Sequence, residues 1–389
     1  MGEIPLNPAV FSAPENPMVR LDALKAELRR RGKPIFDFGI GDPKEPMAPF
    51  LVEALREAVP PVGSYPRVAG TEAFRAAVAR YAKRRFDVTL DPDREILPAA
   101  GAKEAIFHLP FALIDPKGER RLVVYPDPGY PIYERGTVFA GGEPHPVRLR
   151  EERGFLLEPA DVPESLLRRT AIFWIDYPNN PTGAVAPRDY LRRVAEAASR
   201  HGFIVASDEC YADLYFGAPP HSILEVAREN VLAIQSLSKR SGMTGMRSGF
   251  MAGDARVIDL LRRFRPAVGT ASQDFVLAAA AVAWGDDAHA AERRRIFGEK
   301  RQLFLRFFRE AGIDLSGSEA GLYLWAKVPG GGPSEPWALA LAERSGVVVQ
   351  PGSFLGPGGE GCFRLALVPT MEECRRAIES WREAERGAR

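Results

Sequence analysis

Four short apolar runs without polar alternation punctuate the middle of the chain: Leu122 to Tyr125, Ile172 to Ile175, Phe203 to Ala206 and Val231 to Ile234. Each is bounded by Gly, Pro, Asn or Asp, the pattern of a strand buried on both faces. From about residue 50, apolar positions also recur at helical spacing, in Leu51, Val52, Leu55 and Val59 and then in Phe74, Ala77, Val78 and Tyr81. Doubly buried strands alternating with amphipathic helices predict an α/β fold whose mainly parallel sheet is covered by helices on both faces. Ligands bind such sheets beyond the carboxyl ends of the strands, so chemistry is expected in the loops that follow these runs.

Past residue 270 the pattern changes to a long charged helix around Ala291 to Glu310, an apolar run from Leu322 to Ala326, a Gly/Pro-rich stretch, the run Phe363 to Leu367 and a terminal helix. This reads as a smaller α+β domain. The expected division is an N-terminal arm and part of the small domain over 1–45, a large domain over 46–270 and a small C-terminal domain over 271–389. The Arg-rich tail after Trp381 is expected to fray. A length of 389 residues suits two domains with a water-poor cleft between them.

A net charge of +1, with 46% hydrophobic and 26% charged residues, suggests neither nucleic acid nor an anionic membrane as partner. The three cysteines, Cys210, Cys362 and Cys374, are scattered and odd in number. They fit neither a disulfide framework nor a metal-ligand spacing, so no metal is expected and a reducing cytoplasm is the simplest home. Glu3 and Pro5, with no long apolar run around them, read as neither signal peptide nor membrane anchor.

Four polar motifs begin where apolar strands end. After Leu97 comes Gly101-Ala102-Lys103-Glu104-Ala105, a glycine turn opening a helix whose free N–H groups suit a phosphate; alone it is more often a plain turn. After Ile175 comes Asp176-Tyr177-Pro178-Asn179-Asn180-Pro181-Thr182-Gly183, a rigid loop that holds an Asn amide at the sheet edge. After Ala206 comes Ser207-Asp208-Glu209-Cys210-Tyr211, whose buried carboxylate needs a cationic partner. A strand ending in Asp-Glu also suits the magnesium site of nucleotide hydrolases, but Gly32-Lys33 is followed by Pro34, so the phosphate loop of those enzymes is missing. After Ile234 comes Gln235-Ser236-Leu237-Ser238-Lys239, followed by Gly242, Gly245 and Arg247. Only nine of the 52 lysines and arginines are lysines, which makes one directly after a buried strand harder to dismiss as surface decoration.

A phosphate cradle, a desolvated lysine and a buried carboxylate are together what pyridoxal phosphate requires of a protein. The amine bonds the aldehyde and, with its pKa lowered by burial, later acts as a base; the carboxylate keeps the pyridine nitrogen protonated.

In order and spacing these residues resemble the fold-type I aminotransferases of class I/II, from Phe38-Gly39-Ile40-Gly41-Asp42-Pro43 to Phe363-Arg364-Leu365. The resemblance implies an aspartate-aminotransferase-like fold with a seven-stranded sheet, and a homodimer with shared active sites. It implies pyridoxal 5′-phosphate bound to Lys239 as a Schiff base, Asp208 on the pyridinium nitrogen, Tyr211 and Asn180 on the ring hydroxyl, and Tyr130 stacked on the ring. The phosphate falls to the Ala102 and Lys103 backbone, Ser236, Ser238 and Arg247, with Tyr65 arriving from a second subunit. Tyr133 reads equally well as a core aromatic or a site residue. Arg364 corresponds to the arginine that clamps the substrate α-carboxylate, with Gly41 and Asn180 beside it.

A closer likeness, carried by Ile96-Leu97-Pro98, Asp208-Glu209-Cys210-Tyr211 and Lys239-Arg240-Ser241, is to aminotransferases acting on N-succinyl-diaminopimelate with 2-oxoglutarate, a step of lysine biosynthesis. Gly101-Ala102 departs from the expected Gly-Ser or Gly-Thr, which puts a hydroxyl contact there in question. Lys103 matches a lysine that reaches a distal carboxylate in related enzymes; Arg20 and Arg67 are weaker candidates. Amino transfer from aspartate, aromatic amino acids or LL-diaminopimelate stays open, as does lyase chemistry on the same fold. A DNA-reading regulator built on this fold is not expected, because it needs a helix-turn-helix segment ahead of Phe38.

Overall fold

The computed structural model describes residues 7–11 and 18–387, so the reading of Glu3 and Pro5 lies outside the described residues. At its centre is a seven-stranded sheet built from β1 (Ile96–Ala99), β2 (Leu122–Asp127), β3 (Glu143–Arg148), β4 (Thr170–Asp176), β5 (Ile204–Asp208), β6 (Val231–Ser236) and β7 (Gly249–Gly253). The order across the sheet is β1-β7-β6-β5-β4-β2-β3. Only β7 runs against its neighbours. The four apolar runs of the sequence are β2, β4, β5 and β6.

All seven residues of β4 are buried, and its side chains alternate between two cores. On one face Phe173 stacks on Phe203 with centroids 5.4 Å apart; on the other Trp174 stacks on Tyr133 at 4.8 Å. Burying each such ring stabilises the fold by about 2–3 kcal/mol. Two strands carry little apolar signal. β3 holds Pro144 and Pro146 but lies at the sheet edge, where a missing N–H costs little. β7 begins and ends in glycine because a Cβ at Gly249 or Gly253 would run into the carbonyls of Gln235 or Val231 on β6.

The second unit is a four-stranded antiparallel sheet ordered Gln350–Pro351, Cys362–Ala366, Tyr323–Lys327 and Leu315–Gly317. Helices Ala288–Ala311, Ser334–Ser345 and Met371–Arg386 cover it, and Phe304, Phe308, Phe363 and Trp381 share its core with Phe36 and Phe38 from the N-terminal part. Phe36 pairs with Val347 in a short parallel ladder, so the start of the described chain adds to this unit. The terminal helix continues to Arg386 because Cys374, Ile378 and Trp381 pack into the core, so the expected fraying after Trp381 is not found over these residues.

Helix Asp274–Gly285 packs on helices Pro49–Ala58 and Glu72–Phe86, placing Leu277, Ala280 and Trp284 in the core of the large sheet. We therefore propose that the division between the units falls after Gly285, not near residue 270. No helix among the described residues is long and apolar enough to cross a membrane.

Helix Ala288–Ala311 carries a fully buried lysine, Lys300, whose ammonium pairs with Glu45 and donates to the Leu367 carbonyl at 3.3 Å. Glu45→Ala strands that charge, and urea unfolding should register a loss of about 3–5 kcal/mol. A Glu45→Leu/Lys300→Met pair should recover most of it, since a well-packed apolar pair replaces a buried ion pair at little cost.

Candidate active site

The carboxyl ends of β4, β5 and β6 lie side by side, with Asp176 in register with Asp208 and Asp208 with Ile234. Their loops open into a cleft of about 1390 Å³. Lys239, Asp208, Tyr211, Asn180, Ala102, Lys103, Tyr130, Ser236, Ser238, Arg247, Gly41 and Arg364 all line this cleft, whereas Tyr65 does not.

Lys239 stands in the short helix Leu237–Arg240 that follows β6. Ser236 caps this helix by accepting from the Ser238 N–H at 3.2 Å, and the Lys239 amine donates to the Gly41 carbonyl. The turn is anchored from below. Arg240 donates to Asp213 at 2.6 Å, to the Ala283 carbonyl at 2.8 Å and to Asp287 at 2.7 Å, while the Ser241 hydroxyl meets His289 at 2.8 Å. Burial brings the Lys239 pKa down to about 8; Cys210 and Asp42 oppose the shift, and Arg364 and Arg247 add to it.

Asp208, at the end of β5, accepts from the Tyr133 hydroxyl at 3.0 Å and from the Cys210 N–H at 3.2 Å. Its neighbour Asp176 accepts from the Asn180 N–H at 3.1 Å, and the second Asp176 oxygen has no partner. Burial pushes both carboxyls up, Asp176 further because Asp208 faces it, and no lysine or arginine offsets either. Of the two, Asp208 lines the cleft and Asp176 lies buried behind it. Tyr133 thereby joins the site as the residue that orients Asp208, a role its sequence position left undecided.

Another part of the cleft is cationic. Gly101, at φ +79°, precedes helix Ala102–Leu113, and a Cβ there would strike the Arg247 guanidinium. Arg247 itself is held in the left-handed region at φ 51° and donates to the Thr244 carbonyl at 3.0 Å. The helix begins with no side-chain cap, so its first N–H groups and positive dipole end add to Arg247. Ser236 donates to the Ser238 hydroxyl at 3.0 Å beside them. Lys103 is exposed on the cleft side of the same helix start.

Arg364 is buried, donating to Asn180 Oδ1 at 2.8 Å and to the Gly39 carbonyl at 2.9 Å, and its Nε has no partner. Its guanidinium lies 4.2 Å over the ring of Tyr323, whose hydroxyl meets that of Tyr211 at 2.8 Å. Tyr323 escaped the sequence reading. It is two residues from Trp325, the register partner of Arg364, so it lies diagonal to Arg364 on the same sheet face, a relation that needs the register to be known.

Tyr65 is fully exposed beside Val62, itself 77% exposed, and the single chain does not bring it to the other residues. Arg20 is paired with Glu335 at 2.9 Å, and Arg67 is exposed and does not line the cleft. Among the described residues, no cluster of His, Cys, Asp or Glu could hold a metal ion. A cationic cradle, a buried amine and an uncompensated carboxylate pair fit a ligand with an anionic group at one end, an aldehyde and a basic ring nitrogen.

Residues 33–380 match the family model for aminotransferase class I and II. The chain is 38% identical over 369 residues to the LL-diaminopimelate aminotransferase of Desulforudis audaxviator (strain MP104C), covering 93% of each protein. It is 36% identical over 365 residues to the enzyme of that name from Aquifex aeolicus (strain VF5), covering 92% of this chain and 94% of that one. A solved structure of a probable N-succinyldiaminopimelate aminotransferase from Thermus thermophilus superposes with a TM-score of 0.88 at 31% identity, covering 94% of this chain and 99% of the other.

The lowered pKa of Lys239 makes stability depend on pH. Between about 8 and the ordinary 10.5 the unfolded chain binds the extra proton, so the cost of burying the amine is complete below pH 8 and relieved as pH rises to 10.5. Without cofactor, Lys239→Met should exceed the unsubstituted protein in unfolding free energy by roughly 3 kcal/mol at neutral pH. Denaturant titrations at neutral pH and above 10 should show that gap closing; a constant gap would contradict the assignment.

Proposed function

The chain belongs to the class I and II aminotransferases, fold-type I enzymes that carry pyridoxal 5′-phosphate, and from that premise we propose that it moves an amino group between a diaminopimelate-type donor and 2-oxoglutarate. The observation that carries this reading is the buried Lys239 amine, set in one cleft with Asp208 and Arg364. When bound, the cofactor supplies an aldehyde that takes up amino groups and a protonated ring that accepts electron density.

Lys239 is the residue that would bond the cofactor. Asp208 would hold the proton on the ring nitrogen, oriented by Tyr133 and backed by Asp176. The phosphate would rest on the first N–H groups of helix Ala102–Leu113, Ser236, Ser238 and Arg247, and the ring hydroxyl on Tyr211 and Asn180. Tyr130 would cover the ring face. Arg364 grips the substrate α-carboxylate through its two Nη groups, which already aim at acceptors, and the Gly41 backbone would lie beside that carboxylate. With its pKa near 8, the Lys239 amine can take the substrate α-proton and return it on the other side of the exchange. Two copies of the chain would complete the site. The bare Tyr65, among the exposed Val59 and Val62, supports a contact with a second subunit.

The donor we put first is LL-diaminopimelate itself, the substrate in the names of the relatives at 38% and 36% identity. Its distal end carries an ammonium and a carboxylate, and the cleft offers Asp22 and Glu134 as well as Lys103 and Arg135. The succinylated donor expected from the sequence is the second reading, supported by the Thermus thermophilus structure and by Lys103.

Steady-state rates with each donor and 2-oxoglutarate separate the two: kcat/KM for the free donor should exceed that for the succinylated one by at least about tenfold. The reverse ratio would restore the second reading, and no transfer from either would refute both. Borohydride treatment of the loaded protein should fix cofactor to Lys239, and none to a Lys239→Ala variant. Asp208→Ala should still take up cofactor yet lose roughly two to three orders of magnitude in turnover, the equivalent of about 3–4 kcal/mol. Near-normal turnover would discard its role at the ring nitrogen.

A further inference from the structure

Tyr323 touches more of the cleft machinery than any role considered so far explains. It is buried in strand Tyr323–Lys327 of the small unit. Its hydroxyl meets the Tyr211 hydroxyl at 2.8 Å with the two rings edge to face at 5.4 Å, and the Arg364 guanidinium rests 4.2 Å over its own ring. The same hydroxyl occupies the space that a Cβ on Gly41 would need, and the Gly41 carbonyl is the acceptor for the Lys239 amine.

We propose that Tyr323 is a positioning residue with two separable parts: its hydroxyl sets which way the Tyr211 proton points, and its ring holds the plane of Arg364. The proposal rests on the functional reading above and adds to it a residue which that reading leaves without a task.

A tyrosine that only filled the core would do as well as phenylalanine. Here two hydroxyls face each other with one bond to share, and each has a single proton. If Tyr323 donates, the Tyr211 proton is free to point into the cleft; if Tyr211 donates, the cleft is offered only a lone pair. The surroundings favour the first arrangement. Burial pushes both hydroxyls up and Arg364 opposes it at both, but the Arg364 guanidinium lies over the ring of Tyr323 itself, so it acts more on that hydroxyl. The more acidic partner donates, so Tyr211 keeps its proton for the cleft. The ring has its own part. Arg364 has in-plane acceptors at Asn180 and Gly39, and the face of Tyr323 closes one side of the guanidinium, so the fork stays in one plane for a carboxylate.

The test uses the cofactor-loaded protein with Tyr323→Phe, which removes only the hydroxyl, and Tyr323→Leu, which also removes the ring. Three quantities are read: the pH midpoint of the visible band of the bound cofactor, the kcat and KM for amino transfer, and the Kd of glutarate, a dicarboxylate that cannot react. Tyr323→Phe should move the midpoint by at least about half a unit and lower kcat about tenfold, leaving KM and the glutarate Kd within about twofold. Tyr323→Leu should in addition raise KM and the glutarate Kd about tenfold. Adding Tyr323→Phe to Tyr211→Phe should cost nothing beyond Tyr211→Phe alone, since the hydroxyl acts through Tyr211. An unmoved midpoint and kcat in Tyr323→Phe, or additive losses in the pair, would overturn the hydroxyl's part; unchanged glutarate affinity in Tyr323→Leu would overturn the ring's. If Tyr323→Leu does not fold, Tyr323→Met provides the ring deletion. A parent protein that forms no cofactor band sinks the functional reading itself, whereas a normal parent with silent Tyr323 variants sinks only this inference.

Discussion

The register that sets Asp176 beside Asp208, and Asp208 beside Ile234, is the constraint on which the cleft depends. Side chains alternate along a strand, so a slip of one residue would turn a carboxylate to the opposite face of the sheet and exchange every buried ring in β4. The register is held by packing on both faces. Phe173 against Phe203 and Trp174 against Tyr133 fit only one alignment, and Tyr133 then reaches Asp208 with its hydroxyl. The rings that hold the strands in line and the contact that orients the carboxylate are parts of the same arrangement.

The cleft brings unlike charges together. Asp208, backed by the buried Asp176, has no lysine or arginine to offset it; Arg247 and the uncapped helix start line the same cleft, as does the Lys239 amine, its pKa brought down to about 8. Two facing buried carboxylates and a desolvated amine each cost the folded chain stability. On the proposed reading the cofactor relieves both, because it brings a ring nitrogen that needs a proton and an aldehyde that needs an amine. The anchoring of Arg240 and Ser241 by Asp213, Asp287 and His289 keeps the Lys239 turn in place despite that cost.

What could be read from the sequence was whatever burial writes into residue type. Strands sealed on both faces, such as β4, leave unbroken apolar runs, and the motifs after them carry glycine, serine and acid where loops meet a ligand. β3 and β7 left no such trace, one because its prolines sit on an edge and the other because its glycines answer to carbonyls on β6. Helix Asp274–Gly285 is rich in alanine and apolar nearly all round, so nothing along the chain announced which core it joins. Tyr133 and Tyr323 needed contacts between elements far apart in sequence, a helix against β5 in one case and a strand register in the other.

Lys239 and Asp208 belong to the large sheet, while Arg364 and Tyr323 belong to the small one, which is packed around Phe304, Phe363 and Trp381. On the proposed reading, one body seats the coenzyme and the other grips the carboxylate beside the bond being broken. Heating that loosens the small body would thus be felt first as a failing hold on amino acids, with the coloured coenzyme still in its seat.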